Sequence, residues 1–529
     1  MRTTAPEIVE RYVAEGWWTD ESLGSMVATG LTAAAKADFR VHSSSNPWYG
    51  KIHSVDNAAR TLARNLWNDG VRGGDVVAFQ LPNWVEAAIT FWASAYIGAT
   101  VVPIVHFYGP KEVGYILDVT EPVVIVTPDR FGPTDYLAMY EDLLATRSGS
   151  QWFVAATDVS VALPPRGKPF SSMLEGDPLA SPVPVDLDEP SLIAFTSGTT
   201  SNPKGVIHSH RTIGCETRQL ESRMPKGSQP LLVGAPVGHF IGMLSAFLVP
   251  LIRREPIHMV DFWNPAAVLR ILKDENLAFG GGATYFLTSL LDHADFKEEH
   301  LSHIPFAGLG GSAVPVAVTQ RATSLGIKVF RAYGSTEHPS MTGGLIDDPE
   351  VKRLHTDGQP APGVEIKLND DGEILSRGPD LCLGYTDSSL TTEMFDAEGW
   401  YHTGDVGVLD HEGYLAITDR IADIIIRGGE NVSAQEIEEL LMEMPGIAEI
   451  AVVAAPDERL GEHAAAVVRM TADSPAPSLD DVRRHLADAG LAKQKWPEAL
   501  YVVTAFPRTP SGKIQKFKVR QQLRMGELI

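Results

Sequence analysis

Between Thr196 and Val206 the chain reads Thr-Ser-Gly-Thr-Thr-Ser-Asn-Pro-Lys-Gly-Val, directly after an apolar, strand-like stretch. Glycines let backbone N–H groups approach an anion, hydroxyls donate to phosphate oxygens, and Lys204 adds a point charge. The Walker pattern does not fit, because Lys204 precedes Gly205. By composition alone, a plain Ser/Thr/Gly surface loop explains the run as well. A second segment, Ala332-Tyr-Gly-Ser-Thr-Glu337, sets an aromatic ring that could stack on a base before a hard oxygen ligand suited to Mg²⁺ shared with phosphates. A third, Tyr401-His-Thr-Gly-Asp405, presents a carboxylate that could accept from both hydroxyls of a ribose, or simply turns a hairpin. Asp419-Arg420 and Gly428-Gly429 follow, and Pro507-Arg-Thr-Pro-Ser-Gly-Lys513 offers one lysine on a stiff loop. Taken singly, each is weak evidence.

The elements that must carry these groups alternate. Val76–Pro82, Thr100–Val105 and Pro122–Thr127 read as strands, with helices at Trp84–Ile97 and Lys111–Leu117 between them. That alternation predicts β-α-β units and a largely parallel sheet, an α/β fold. Leu163–Pro190, rich in Pro and Ser, reads as a loop or linker. The alternation resumes at Ser191–Phe195 and runs to about Gly334. Hairpin patterns then follow at Gly372–Arg377 and Gly413–Thr418. A smaller α+β pattern begins after Arg420, with strands at Ile424–Arg427 and Ile450–Ala454 and helices at Ala434–Glu443 and Ser478–Ala489. The domain boundary is expected near Arg420–Asp423, giving domains 1–421 and 422–529.

Composition narrows the function. The chain has 529 residues, 44% hydrophobic and 21% charged, enough for several domains and a large core. The net charge of −23 argues against nucleic acid as a partner. Residues 491–529 reverse the sign, with eight Lys/Arg against two Glu. That basic tail is either a solvated end or a cap for a polyanion such as a nucleotide. Two cysteines, Cys215 and Cys382, exclude a disulfide framework and a four-thiolate metal site, and fit a cytoplasmic location. No secretory signal is visible. The uncharged runs Ala87–Pro110 and Leu231–Ile252 are long enough to span a bilayer. Each holds Pro, Gly and His, and buried core is the expectation, with no transmembrane segment.

In this order the five segments resemble the adenylate-forming superfamily, which holds acyl- and aryl-CoA synthetases, luciferases and peptide-synthetase adenylation domains. The resemblance runs from Asn83-Trp84 to Lys513, nearly the whole chain. It implies a large N-terminal domain of parallel and mixed sheets flanked by helices, a β-barrel-like subdomain, and a small mobile α+β C-terminal domain. It also implies roles. Thr196, Ser197, Gly198, Thr199, Thr200 and Lys204 would wrap the β- and γ-phosphates of ATP. Gly311 and Ser312, with Ala332, Tyr333 and Gly334, would flank adenine. Thr336 would bond the α-phosphate and Glu337 would hold Mg²⁺. Asp405 and Arg420 would bind ribose, and Lys513 would bridge the carboxylate and the α-phosphate. The small domain would turn about Ala422, where Asp or Lys is usual, to bring Gly428 and Gly429 to the pantetheine arm of CoA. Ser201 stands where the loop usually has Gly; a positive φ there would cost about 1 kcal/mol.

His239, in Pro236-Val-Gly-His-Phe-Ile-Gly242, matches the residue guarding the acyl pocket, with a buried core histidine as the plain alternative. Phe240 follows it where dihydroxybenzoate-activating members carry Asn, which disfavours a catechol. Gly280, Gly281 and Gly282 would form the facing wall, their lost bulk making room for a wide acyl group. Glu10-Arg-Tyr and Trp17-Trp-Thr-Asp20 resemble aryl- and alicyclic-acid ligases. The expected function is an AMP-forming acid–CoA ligase acting on an apolar, bulky or cyclic carboxylic acid, with ATP, Mg²⁺ and CoA. A stand-alone enzyme loading a phosphopantetheinyl carrier protein and an inert nucleotide-binding scaffold are the alternatives. A homodimer is left open.

Overall fold

The structure is a computed structural model that describes residues 1–158, 160–196, 202–225, 227–311, 314–427, 430–457, 461–472, 474–508 and 513–528. Its centre is an eight-stranded sheet. Strands Pro190–Thr196, Thr100–Pro103, Val76–Phe79, Val124–Pro128, Gln151–Ala155 and Gly167–Pro169 lie side by side in that order, all parallel. Lys204–Ser209 and Gly384–Tyr385 extend it antiparallel. The two faces enter different cores. Val77, Phe79, Val101, Val124 and Val126 pack into one, and Ala78, Val102 and Ile125 into the other. Apolar runs without alternation are what a sheet covered on both faces requires.

The two uncharged runs bury each other. Helix Val85–Ile97 is buried along its whole length. Its Trp92 Nε1 donates to Phe247 O at 3.1 Å, and Phe91 meets the Phe247 ring at 5.6 Å between centroids. Among the described residues no helix is long and apolar enough to cross a membrane. Leu163–Pro190 is a strap rather than a free linker. Phe170, Met173 and Leu179 are buried, and Arg60 and Asn65 of helix Ile52–Asn68 donate to its carbonyls at Leu179, Met173 and Glu175.

A second sheet pairs Gly281–Gly282, Phe306–Gly310 and Lys328–Tyr333 in parallel, then Thr342–Gly343 and Gln359–Pro360 antiparallel. An antiparallel meander of Glu365–Leu368, Glu373–Arg377, Tyr401–Leu409 and Leu415–Arg420 forms a half-barrel beside it. The chain leaves this meander through the 3₁₀ turn Ile421–Asp423. It then builds a smaller sheet around the long hairpin Ile447–Asp457 and Gly461–Met470, with helices Ala434–Met442, Leu479–Asp488 and Lys516–Arg524. Much of the tail's positive charge meets acids of this same unit. Lys495 pairs with Glu436 at 2.6 Å, Lys516 with Glu438 at 2.8 Å, Arg520 with Asp423 at 2.7 Å, and Arg508 with Glu449.

Candidate active site

Asp405 and Arg420 are direct register partners on neighbouring antiparallel strands. Arg420 Nε donates to Asp405 Oδ1 at 2.8 Å, and Tyr333 Oη donates to Oδ2 at 2.6 Å. Three distant segments thus meet on one buried carboxylate. The Asp405 charge raises the Arg420 pKa against the burial of the cleft. The Tyr333 ring packs with Met341, Ile374 and Leu415 while its hydroxyl reaches Asp405.

Glu337 follows the Tyr333 strand by a tight turn, in which Ser335 N donates to His338 O at 3.0 Å. Gly334 makes that turn possible, since a Cβ there would lie 1.7 Å from Pro339 O. Tyr385 Oη donates to Glu337 Oε1 at 2.8 Å, and His208 Nε2 donates to the Thr336 carbonyl at 2.8 Å. Ala332 is exposed on the same strand end, and Gly311 takes φ +75° just past Phe306–Gly310.

Lys204 begins the strand returning from the phosphate-loop segment, opposite Thr196. Ser197, Gly198, Thr199, Thr200 and Ser201 lie outside the described residues, as do Ser312, Gly428 and Gly429. The Ala422 backbone lies in the 3₁₀ turn; its side chain is not described.

Lys513 comes into electrostatic reach of Asp405, Arg420 and His239. It is open to solvent on its own surface, yet protein crowds the surrounding cleft. That crowding lowers its pKa first, the Arg420 guanidinium adds to the effect, and Asp405 opposes both. His239 is the N-cap of helix Phe240–Phe247. Burial, and then the Lys513 charge, push its pKa down to about 4, so the ring is neutral near pH 7. Its Nε2 is buried without a hydrogen-bond partner among the described residues. Phe240 is buried and packs on His208, which bonds Thr336, at 4.8 Å between centroids.

The glycine run also serves packing. A Cβ at Gly281 would lie 2.0 Å from Gly308 O on the neighbouring strand, and one at Gly280 would meet the end of the Leu231 side chain at 2.7 Å. Gly281 also takes φ +127°. Gly281→Ala is expected to destabilise the protein by about 2–5 kcal/mol, left-handed strain adding to overpacking. Chemical denaturation checks this.

Sequence reasoning missed His106, Phe107 and Tyr385. His106 and Phe107 lie past strand Thr100–Pro103, in a loop that Gln80 holds by donating to Val105 O and Tyr108 O, both at 3.0 Å. The Phe107 ring stands 5.9 Å from His239. Burial and His239 push the His106 pKa down to about 4. A histidine inside an otherwise apolar run was the available signal.

Residues 53–386 match the AMP-binding enzyme family, and residues 436–513 match the AMP-binding enzyme C-terminal domain, whose last matched residue is Lys513. The chain belongs to the AMP-binding enzyme family. This AMP-binding enzyme is 34% identical over 525 residues to a medium-chain fatty-acid–CoA ligase of Escherichia coli, covering 97% of this chain and 92% of that one. It is 35% identical over 510 residues to a 3-[(3aS,4S,7aS)-7a-methyl-1,5-dioxo-octahydro-1H-inden-4-yl]propanoyl:CoA ligase of Rhodococcus jostii, covering 93% and 96%. Among solved structures, ATP-bound MatB from Rhodopseudomonas palustris shares the fold, with a TM-score of 0.83 at 24% identity over 94% of this chain and 99% of that one.

The Mg²⁺ expected of this AMP-binding enzyme fits the residues present. Glu337 Oε1 is held by Tyr385, and Oε2 has no donor among the described residues. Among those residues no group of three or more His, Cys, Asp or Glu could cage a metal. A single carboxylate suits a cation that arrives with phosphate oxygens.

Proposed function

We propose that this enzyme activates an apolar, bulky or cyclic carboxylic acid. Its reaction is ATP-dependent acid–CoA ligation: the acid is converted to acyl-AMP with release of pyrophosphate, and CoA then displaces AMP. The observation that carries the residue assignment is Lys513 in the same cleft as the Asp405–Arg420 pair and His239. A carboxylate oxygen must attack a phosphorus already surrounded by negative charge, so the catalytic demand is positioning and neutralisation. Lys513 joins the acid to the α-phosphate. Arg420 and Asp405 hold the ribose, the latter fixed by Tyr333. Thr336 contacts the α-phosphate. Bound at Glu337, Mg²⁺ would neutralise the phosphate oxygens. Neutral His239 stands beside the acyl carbonyl, where a charged ring would compete with Lys513. For the second half-reaction the C-terminal unit turns at Ala422, withdrawing Lys513 and bringing Gly428 and Gly429 to the pantetheine arm. The free, buried thiols of Cys215 and Cys382 suit a reducing compartment, and we assign the enzyme to the cytoplasm.

The acid's character is supported by the want of Lys or Arg in Pro236–Gly242 and Phe279–Thr284, and by the apolar or ring-bearing acids in the relatives' names. Pyrophosphate release measured on acetate, octanoate, palmitate, benzoate, cyclohexanecarboxylate and sterol-derived acids tests it. Acetate is expected to be at least about 10²-fold poorer in kcat/KM than the best acid, since each buried methylene is worth about 10-fold or more. Best activity on acetate overturns the reading.

A further inference from the structure

Behind the Glu337 turn lies a dry cluster of acceptor oxygens. Glu216, on helix His210–Arg223, is fully buried; Ser340 Oγ donates to its Oε1 at 2.9 Å, and Oε2 has no partner among the described residues. Asp380 is also fully buried; its Oδ1 pairs with His338 Nε2 at 3.2 Å, and Oδ2 has no partner among the described residues. Gln219 lies one turn after Glu216 on the same helix face; its Nε2 donates to Pro362 O at 2.7 Å, and its Oε1 has no partner among the described residues. Three buried acceptors without a donor are not left so in a stable interior. Two ionised carboxylates in one dry volume are costlier still.

We infer that Glu216 keeps its proton and donates it to Asp380 Oδ2, so that an acid–carboxylate pair ties helix His210–Arg223 to the Ser335–Ser340 turn that seats Glu337. Ser340 and His338, the two residues these acids hold, both belong to that turn. The other charged or titratable groups facing the pair are Arg223 and Cys215 of the same helix, Cys382, and His208, which faces Asp380. The electrostatics agree: burial and Asp380 raise the Glu216 pKa, and His338 holds Asp380 below its ordinary value despite burial. Glu216 acts here as a positioning residue.

The sign of the pH effect follows. A carboxyl whose folded pKa is raised must take up a proton on folding, so stability falls as pH climbs above the unfolded value of about 4.3 toward the folded one. An amide in its place keeps the donor and removes the titration. The Glu216→Gln variant is therefore expected to melt at or above the wild-type Tm, with an advantage that grows between about pH 5 and pH 8. Its pyrophosphate exchange should stay within about twofold of wild type. Glu216→Ala, which strands Asp380 Oδ2 and Ser340, is expected to lower Tm by about 2 °C or more and to lose about tenfold of exchange. The melting comparison does not depend on the role given to Glu337; the exchange comparison does. If Glu216→Gln falls as far as Glu216→Ala, or if its difference from wild type is flat with pH, the inference is wrong and Glu216 is needed as an ion.

Discussion

Replacing Lys513 with alanine is expected to lower acyl-AMP formation by about 10²–10³-fold, while thiolysis of supplied acyl-AMP stays within about twofold. The magnitude is that of removing one preorganised charge from a transition state that gathers negative charge at phosphorus. The asymmetry comes from geometry. Lys513 shares a cleft with Asp405, Arg420 and His239, where ribose, α-phosphate and acid would meet. In the second step the α-phosphate leaves with AMP, and the ammonium has no bond-making role. Exchange of labelled pyrophosphate into ATP reports the first step; AMP released from synthetic acyl-AMP with CoA reports the second. Equal loss of both would mean that the lysine holds the cleft together rather than serving one half-reaction.

The second large effect is on stability. Arg331 and Asp357 form a bidentate pair with both side chains 5% exposed, Nε to Oδ1 at 2.9 Å and Nη2 to Oδ2 at 3.1 Å. Ile417 N also donates to Asp357 Oδ2 at 2.9 Å, so one carboxylate ties the Tyr333 strand to the Arg420 strand. Asp357→Ala leaves a buried guanidinium unpaired and is expected to cost about 3–5 kcal/mol, read by chemical denaturation. Replacing both partners with apolar residues of similar size should recover most of that loss, since no buried charge is then left alone. Failure of the double replacement would show that the Ile417 bond, rather than the charge pair, dominates.

Much of this architecture was legible before any coordinates. Apolar runs such as Val76–Phe79 and Val124–Pro128 read as strands from their alternation with helical stretches, and the structure covers them on both faces. Boundaries moved by a few residues, because a strand ends where its neighbour stops pairing: Val76–Pro82 shortened to Val76–Phe79 once its partners Thr100–Pro103 and Val124–Pro128 set the ladder. The Leu163–Pro190 strap was not legible, because its few apolar residues matter only against a helix about a hundred residues earlier. Nor was the use of Gly281, whose need arises from the backbone of Gly308.

The chemical inventory belongs to the sequence: a hydroxyl-rich loop with Lys204, the Tyr333–Glu337 turn, Asp405, Arg420 and Lys513, in an order that chance does not produce. Those groups are written in local runs, and their roles follow from the family resemblance that the order of the runs carries. The partners belong to the tertiary structure. That the Tyr333 hydroxyl meets Asp405, that Phe240 packs on His208, and that Ser340 meets Glu216 were all decided by contacts between residues far apart in the chain. Such contacts leave no local pattern, because burial and charge act through space and not along the backbone.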